Sequence, residues 1–178
     1  MSVASRPGIF LRTERLQLFE LDLDDAPLML AVWNDPAFIR NVADREIRTA
    51  AAAREAMTNG ALRMYAEFGY GPYGMALRSS NEAIGICGLF RREGLEDTDI
   101  GYAVLPAWCG QGYAYEAATA VIGHARDTLG LTRLTAIVSP HNVASIKLTE
   151  KLGLRYENTI LMPGSGDEVN IYAISLTD

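Results

Sequence analysis

Short runs of alternating or β-branched hydrophobic residues recur along the chain, and such runs are typical of strands. Seven strands are predicted in this way, over residues 9–23, 73–78, 83–90, 98–105, 132–138, 154–161 and 168–176. The turn Ser79-Ser80-Asn81-Glu82 joins the second strand to the third, and Pro163-Gly164-Ser165-Gly166-Asp167 separates the last two. Both turns indicate hairpins, so we expect a largely antiparallel sheet.

Longer segments between these strands have helical composition and recognisable ends. Asp24 can cap a short helix that ends near Asn34-Asp35-Pro36, and Thr49 can cap a second helix, in which Asn59-Gly60 predicts an interruption. Two further helices are predicted over residues 113–129 and 142–152, closed by Gly130 and Gly153. The sequence therefore predicts about four helices beside the strands.

Length and composition favour one domain with a real core. The chain has 178 residues, of which 49% are hydrophobic, and this is a usual size for a single domain. We expect residues 1–8 to be a flexible N-terminus and residues 9–178 to form the domain. No internal repeat or linker interrupts that range.

Charge and cysteine content exclude some classes of function. The formal net charge is -6, and the sequence has no cluster of Lys and Arg of the kind that binds nucleic acid. A cationic substrate fits this charge better. Cys87 and Cys109 lack the spacing of a zinc site or a disulfide framework. We therefore expect no metal, no nucleic-acid partner, no membrane segment and a cytoplasmic location.

The clearest chemical feature is the loop Cys109-Gly110-Gln111-Gly112-Tyr113-Ala114, which lies between a predicted strand and a predicted helix. Unpaired N–H groups and the positive end of the helix dipole favour a phosphate there, and glycines let the backbone approach it closely. No Lys-Ser or Lys-Thr follows these glycines, and no repeated βαβ units surround them, so neither common nucleotide loop is indicated. By itself the loop could also be a simple tight turn.

Four segments together resemble the GNAT acyltransferases, in the branch of ribosomal-protein N-terminal acetyltransferases. They are the loop with its continuation to Ala117, Thr13-Glu14-Arg15-Leu16, Asp99-Ile100-Gly101-Tyr102, and Asn142-Val143-Ala144-Ser145 followed by Lys151-Leu152-Gly153-Leu154. The resemblance implies a three-layer α+β fold whose mixed, mostly antiparallel sheet of about seven strands is splayed in the middle. It also implies acetyl-CoA as the cosubstrate.

The resemblance further implies which residues bind the cosubstrate. Backbone amides of the splayed strand and of the glycine loop would bind pantetheine and pyrophosphate, with Asn142 and Ser145 completing the contacts. The predicted set is Val104, Leu105, Cys109, Gly110, Gln111, Gly112, Tyr113, Ala114, Asn142 and Ser145. Cys109 departs from the usual family residue, which shifts the expected contacts from side chains to backbone amides.

Acetyl transfer to an amine needs a base, a donor for the oxyanion and a proton for the thiolate. The Val104 amide is the predicted oxyanion donor, and Asp99, Glu157 or water could be the base. Many relatives carry a tyrosine acid seven residues after the asparagine, where this chain has Thr149, so Ser145 becomes the candidate acid. Each of these residues could also be an ordinary strand or cap residue.

The sequence does not identify the acceptor amine. The branch resemblance favours a protein or peptide N-terminal amine, while polyamines, amino sugars and amino-acid-like antibiotics are served by similar sequences. A non-catalytic acyl-CoA-binding module that has lost its acid and base is the rival from another class, and a nucleotide-phosphate enzyme is a weaker one. Self-association into a homodimer is also left open.

Overall fold

An eight-stranded sheet is the centre of the fold in the computed structural model, which describes residues 8–177. Its strands are β1 (Ile9–Arg12), β2 (Leu16–Glu20), β3 (Pro72–Leu77), β4 (Ala83–Phe90), β5 (Asp99–Val104), β6 (Arg133–Val138), β7 (Arg155–Leu161) and β8 (Glu168–Ser175). Their order across the sheet is β1-β2-β3-β4-β5-β6-β8-β7. All neighbours are antiparallel except β5 and β6, so the predicted mixed, mostly antiparallel sheet is confirmed.

Helices cover both faces of this sheet. They are α1 (Ala26–Trp33), α2 (Pro36–Asn41), α3 (Ala50–Met57), α4 (Arg63–Phe68), α5 (Tyr113–Asp127) and α6 (Val143–Lys151). A π-helical turn over Thr58–Leu62 joins α3 to α4 without a break in the chain's helical course. The predicted interruption at Asn59-Gly60 therefore takes the form of a wider turn.

Two hydrophobic cores, one on each face, give the three-layer architecture. Ala117, Ala118 and Val121 of α5 pack with buried residues of β2 to β6 on one face. Met29 and Val32 of α1 pack with α3 on the other face. Because Leu18 and Phe19 are neighbours on β2 but belong to different cores, the alternation of side chains along a strand is what divides the core in two.

Two details differ from the sequence expectation. The single strand expected over residues 9–23 is a hairpin of β1 and β2, because Thr13 turns the chain and its N–H donates to the Leu16 carbonyl at 2.9 Å. Pro36 does not simply end the preceding helix. The Asp35 side chain accepts from the Phe38 N–H at 3.3 Å and so caps the extra helix α2, whose first turn tolerates proline. Residues 1–7 of the predicted flexible segment lie outside the described part of the chain.

Candidate active site

The sheet opens between β5 and β6. Within residues 8–177 these strands share one registered pair, Asp99↔Thr135, and the Thr135 N–H donates to the Thr98 carbonyl at 3.0 Å. On the other side of β5, the Leu105 N–H donates to the Ile84 carbonyl of β4 at 2.8 Å. Since alternate residues of a strand direct their amides to opposite sides, the N–H groups of Tyr102 and Val104 point into the opening.

The glycine loop lies at the wide end of this opening. After a 3₁₀ turn over Pro106–Trp108, Gly110 and Gly112 adopt φ values of 75° and 83°, which side chains with a Cβ rarely adopt. Gly112 is the N-cap of α5 and offers no side chain to the N–H groups of the first turn. These groups are therefore available to an anion, which the helix dipole also favours.

Cys109 turns its thiol away from this anion site. Its Sγ lies 3.4 Å from the Val104 carbonyl oxygen and 3.6 Å from that of Leu105. Partial burial, together with the charge of Asp35, raises the pKa of the Cys109 thiol, so a thiolate is disfavoured. This geometry leaves the backbone of the loop to meet the anion.

Arg15, which no sequence argument singled out as a site residue, braces the glycine loop from the β1–β2 turn. Its Nη1 donates to the Gln111 carbonyl at 2.9 Å, and its guanidinium lies 4.4 Å from the centre of the Tyr113 ring. A Cβ added to Gly112 would lie 3.3 Å from Arg15 Nη2. A fixed positive charge therefore stands beside the unpaired amides of the loop.

Glu116, in the first turn of α5, holds Arg15 in place. Its Oε2 accepts from Arg15 Nε at 2.6 Å, and its Oε1 accepts from the Arg15 N–H at 2.8 Å and from the Thr13 hydroxyl at 2.5 Å. Burial works to raise the pKa of Glu116, but these hydrogen bonds outweigh it and the pKa is lowered. The carboxylate is therefore charged at neutral pH and keeps its ion pair with Arg15.

The first turn of α6 reaches β5 through a tyrosine. Asn142 caps α6 with its side-chain oxygen, which accepts from the Ser145 N–H at 3.2 Å. The Ser145 hydroxyl lies 3.0 Å from the hydroxyl of Tyr102. Thr149, one turn further along α6, is only 1% exposed. Among the residues predicted for the site, Ser145 is thus joined to β5, although Tyr102 itself was not predicted.

Asp99 stands at the narrow end of the opening and is only 2% exposed. Its carboxylate accepts from Arg92 Nε at 2.8 Å and from Nη2 at 3.2 Å. Burial raises the pKa of Asp99 above its usual value, and the Arg92 guanidinium offsets this only in part. Asp99 is therefore a stronger base than an exposed aspartate would be.

Glu157, the other predicted base, is in a different environment on the exposed strand β7. Both of its oxygens accept from Arg133, at 3.0 and 2.6 Å. The hydrogen bonds from Arg133 lower the pKa of Glu157. A weakly basic, exposed carboxylate is a poorer proton acceptor than Asp99.

A groove of about 450 Å³ is lined in part by Arg92, the ion-pair partner of Asp99. The π-helical turn and α4 form one wall and the segment after β4 forms the other. Its lining residues are Asn59, Gly60, Arg63, Met64, Phe68, Arg91, Arg92 and Glu93. Most of these side chains are exposed, so the groove is open to solvent along its length.

The structure thus gathers most of the predicted residues around one opening. Val104 and Leu105 lead into the loop of Cys109 to Ala114, and Ser145 of α6, whose N–H is capped by Asn142, contacts Tyr102 of β5. Asp99 closes its narrow end. Arg15 and Tyr102 were missed, although both occur in segments that carry the family resemblance, because their contacts join parts of the chain far apart in sequence.

Within residues 8–177, no helix is long and apolar enough to cross a membrane. The same residues contain no group of three or more His, Cys, Asp or Glu side chains placed to hold a metal ion.

Comparison with known proteins gives a consistent result. A family model described as an acetyltransferase (GNAT) domain matches residues 15–155. An uncharacterised N-acetyltransferase, p20 of Bacillus licheniformis, is 29% identical over 170 residues, which cover 93% of this chain and 94% of that protein.

Solved structures share the fold over almost the whole chain. An acetyltransferase from Agrobacterium tumefaciens is 27% identical, with a TM-score of 0.77, and the match covers 96% of this chain and 99% of that one. RimL, a ribosomal L7/L12 α-N-protein acetyltransferase solved in complex with coenzyme A, has a TM-score of 0.79 at 19% identity, covering 94% and 97%.

Proposed function

Because the chain belongs to the GNAT acetyltransferase family, and is thus an N-acetyltransferase with acetyl-CoA as its cosubstrate, we propose that its acceptor is the N-terminal amine of a protein or peptide. The observation that carries this proposal is the open groove lined in part by Arg92, the ion-pair partner of Asp99. A small amine is usually enclosed by its binding site. A groove lined by exposed side chains instead suits a chain that continues into solvent.

Two further features support this acceptor. The segments that resemble the ribosomal-protein acetyltransferases flank the opening between β5 and β6, and RimL has a similar fold. The formal net charge of -6 favours approach of a cationic N-terminus.

In the proposed cosubstrate site, the first-turn amides of α5 and the Arg15 guanidinium bind the pyrophosphate. Pantetheine then lies in the opening between β5 and β6, where the Val104 amide faces it. Residues Val104, Leu105, Cys109, Gly110, Gln111, Gly112, Tyr113, Ala114, Asn142 and Ser145 stay predictions for this site. Leu105 can contribute through its side chain, because its N–H donates to Ile84 of β4 and its carbonyl accepts from the Trp108 N–H at 2.9 Å.

In the proposed reaction, the neutral amine attacks the thioester carbonyl directly, in a complex that contains both substrates. A backbone amide of β5, with Val104 as the predicted donor, stabilises the oxyanion. Asp99 takes the proton from the incoming ammonium through a water molecule. Its raised pKa suits this step, because an α-amino group titrates near pH 8.

The acceptor is tested by competition between amines. Equal concentrations of peptides with free N-termini, the same peptides with blocked N-termini and an internal lysine, and a set of polyamines and amino sugars are mixed with acetyl-CoA and enzyme. We expect acetylation on free N-termini, located by tandem mass spectrometry. If a small amine reacts with a kcat/KM at least tenfold higher than that of every peptide, the peptide acceptor is wrong.

A further inference from the structure

The side chain of Tyr102 extends from β5 and contacts α6. Its hydroxyl lies 3.0 Å from the Ser145 Oγ and donates to the Ser145 carbonyl oxygen at 3.4 Å. The ring is half-buried and packs against the core that α5 covers. The phenol therefore lies over the junction between β5 and the first turns of α6.

The backbone and the side chain of Tyr102 both border the opening between β5 and β6. Its N–H points into the opening between β5 and β6, for the reason given for Val104. A thioester in this opening would lie against β5, with α6 on the side to which the phenol extends. The Tyr102 hydroxyl is thus an O–H group held beside Ser145, between β5 and the first turn of α6.

We propose that Tyr102 is the general acid that protonates the sulfur of the departing coenzyme A, and that Ser145 is the positioning residue that orients the Tyr102 hydroxyl. Because this role concerns the thiolate, it rests on the acetyl transfer proposed above whatever the acceptor is. It also gives Ser145 a different role from that of the acid itself.

The amine nitrogen forms the C–N bond, and the tetrahedral adduct then breaks its C–S bond, whose electron pair leaves with sulfur. The Tyr102 O–H transfers its proton to that sulfur and gives the free thiol of coenzyme A. The proton lost by the amine passes through Asp99 to solvent, and the Tyr102 phenolate regains a proton from solvent through the Ser145 hydroxyl.

The surroundings of the phenol suit an acid of this kind. Burial raises the pKa of Tyr102, while hydrogen bonds with the hydroxyls of Ser145 and Thr149 act in the opposite direction. The phenol is therefore protonated at neutral pH, and the same two hydroxyls stabilise the phenolate that forms when the proton leaves.

The position of Thr149 is consistent with this assignment. The family resemblance pointed to position 149 for an acidic tyrosine hydroxyl, and this chain has a buried threonine there. Thr149 interacts with the phenol that comes from β5 instead. A tyrosine hydroxyl is thus supplied to this region from the strand rather than from the helix.

The test uses Tyr102→Phe with two acyl donors, acetyl-CoA and its acetyl-seleno analogue. With acetyl-CoA, we expect kcat to fall by about 100-fold, while KM for acetyl-CoA and Kd for coenzyme A stay within twofold. A selenolate is far less basic than a thiolate and leaves without a proton, so the seleno donor should restore kcat to within fivefold of wild type. Ser145→Ala should show the same pattern with a smaller loss.

Tyr65→Phe is the matched control, because the Tyr65 hydroxyl also makes part-buried hydrogen bonds. It accepts from the Leu21 N–H at 3.1 Å and donates to the Pro72 carbonyl oxygen, so its partners lie next to β2 and β3 and not on α6. This variant should lose thermal stability and keep kcat within threefold. Tyr102 is not the acid if Tyr102→Phe also keeps kcat within threefold, or if its loss is equal with both donors. An enzyme that acetylates only small amines would refute the peptide acceptor, and Tyr102 would then be measured with that amine.

Discussion

At the scale of single residues, burial separates two carboxylates that sequence could not rank. Asp99 is enclosed at the narrow end of the opening, where burial raises its pKa. Glu157 is exposed, and its ion pair with Arg133 lowers its pKa. A general base must be deprotonated before the reaction and must have a high enough pKa to accept the proton. This requirement favours Asp99.

Asp99→Asn should lower kcat/KM by about 100-fold at pH 7, because the amide cannot accept the ammonium proton. The loss should shrink above about pH 8, where the α-amino group is already neutral. In wild type the raised pKa of Asp99 places the acidic fall in rate at higher pH than for an ordinary aspartate. The pH dependence of kcat/KM measures both effects.

Glu157→Gln is the control for this variant, because it removes a carboxylate that is also paired with an arginine. It should keep the pH profile and rate of wild type. A normal profile for Asp99→Asn, or a larger loss for Glu157→Gln, would contradict the choice of base.

Gly112→Ala should weaken coenzyme A binding by at least tenfold. Position 112 has a φ of 83°, which strains any residue with a Cβ, and the added methyl would press on Arg15. Gly123→Ala in the middle of α5 adds a methyl in open space and should slightly stabilise the helix. Titration calorimetry distinguishes the two, and equal affinity in both variants would remove Gly112 from the pyrophosphate site.

At the scale of elements, the β1–β2 turn and the start of α5 act as one unit. Arg15 and Glu116 link them by an ion pair of 2.6 Å, and Arg15 also binds the Gln111 carbonyl. The lowered pKa of Glu116 means that its contribution to stability is present above about pH 4.3, its usual value, and is lost as pH falls through the folded-state pKa. The brace should therefore persist throughout the neutral range.

Arg15→Ala should weaken coenzyme A binding by about tenfold, because it removes both a charge beside the pyrophosphate and a bond to the loop. The effect is kept modest by the exposure of the side chain. Arg12→Ala removes an exposed charge from the same hairpin and should change the affinity by less than twofold. Titration calorimetry at two salt concentrations measures the affinity of both variants for coenzyme A. Equal losses of affinity in the two variants would mean that Arg15 acts only through its contribution to the overall charge.

The π-helical turn shows why some elements could be predicted and others could not. Asn59-Gly60 signalled a disturbance in the helix, and the disturbance is present. Its geometry, with Asn59 and Gly60 lining the groove, depends on what packs on either side. Likewise, Asn34-Asp35-Pro36 can end one helix and begin another. Here it does both, because the Asp35 side chain accepts from the Phe38 N–H and caps α2.

At the scale of the whole molecule, the two hydrophobic cores stabilise a sheet in which the neighbouring strands β5 and β6 separate. Coenzyme A would fill the opening and bind only the folded state. At a concentration 100 times its Kd, such a ligand stabilises the fold by about 2.7 kcal/mol.

For a chain of this size, that stabilisation corresponds to a rise in Tm of about 5–10 °C. Hydrogen exchange should slow at the amides of Tyr102 and Val104 when coenzyme A is added. Gly112→Glu, which places a charged side chain at the pyrophosphate, should show neither change. Protection elsewhere without protection of β5 would contradict the position proposed for pantetheine.

The sequence by itself determined the order of the main strands and helices, the glycine loop and the family, because these depend on local periodicity, turn residues and contiguous motifs. Tertiary structure alone decided that Arg15 meets the loop, that Tyr102 meets Ser145, and that Asp99 is buried while Glu157 is exposed. Each of these facts depends on which residues distant in sequence become neighbours. Burial and charge at those contacts set the pKa values on which acid and base roles depend.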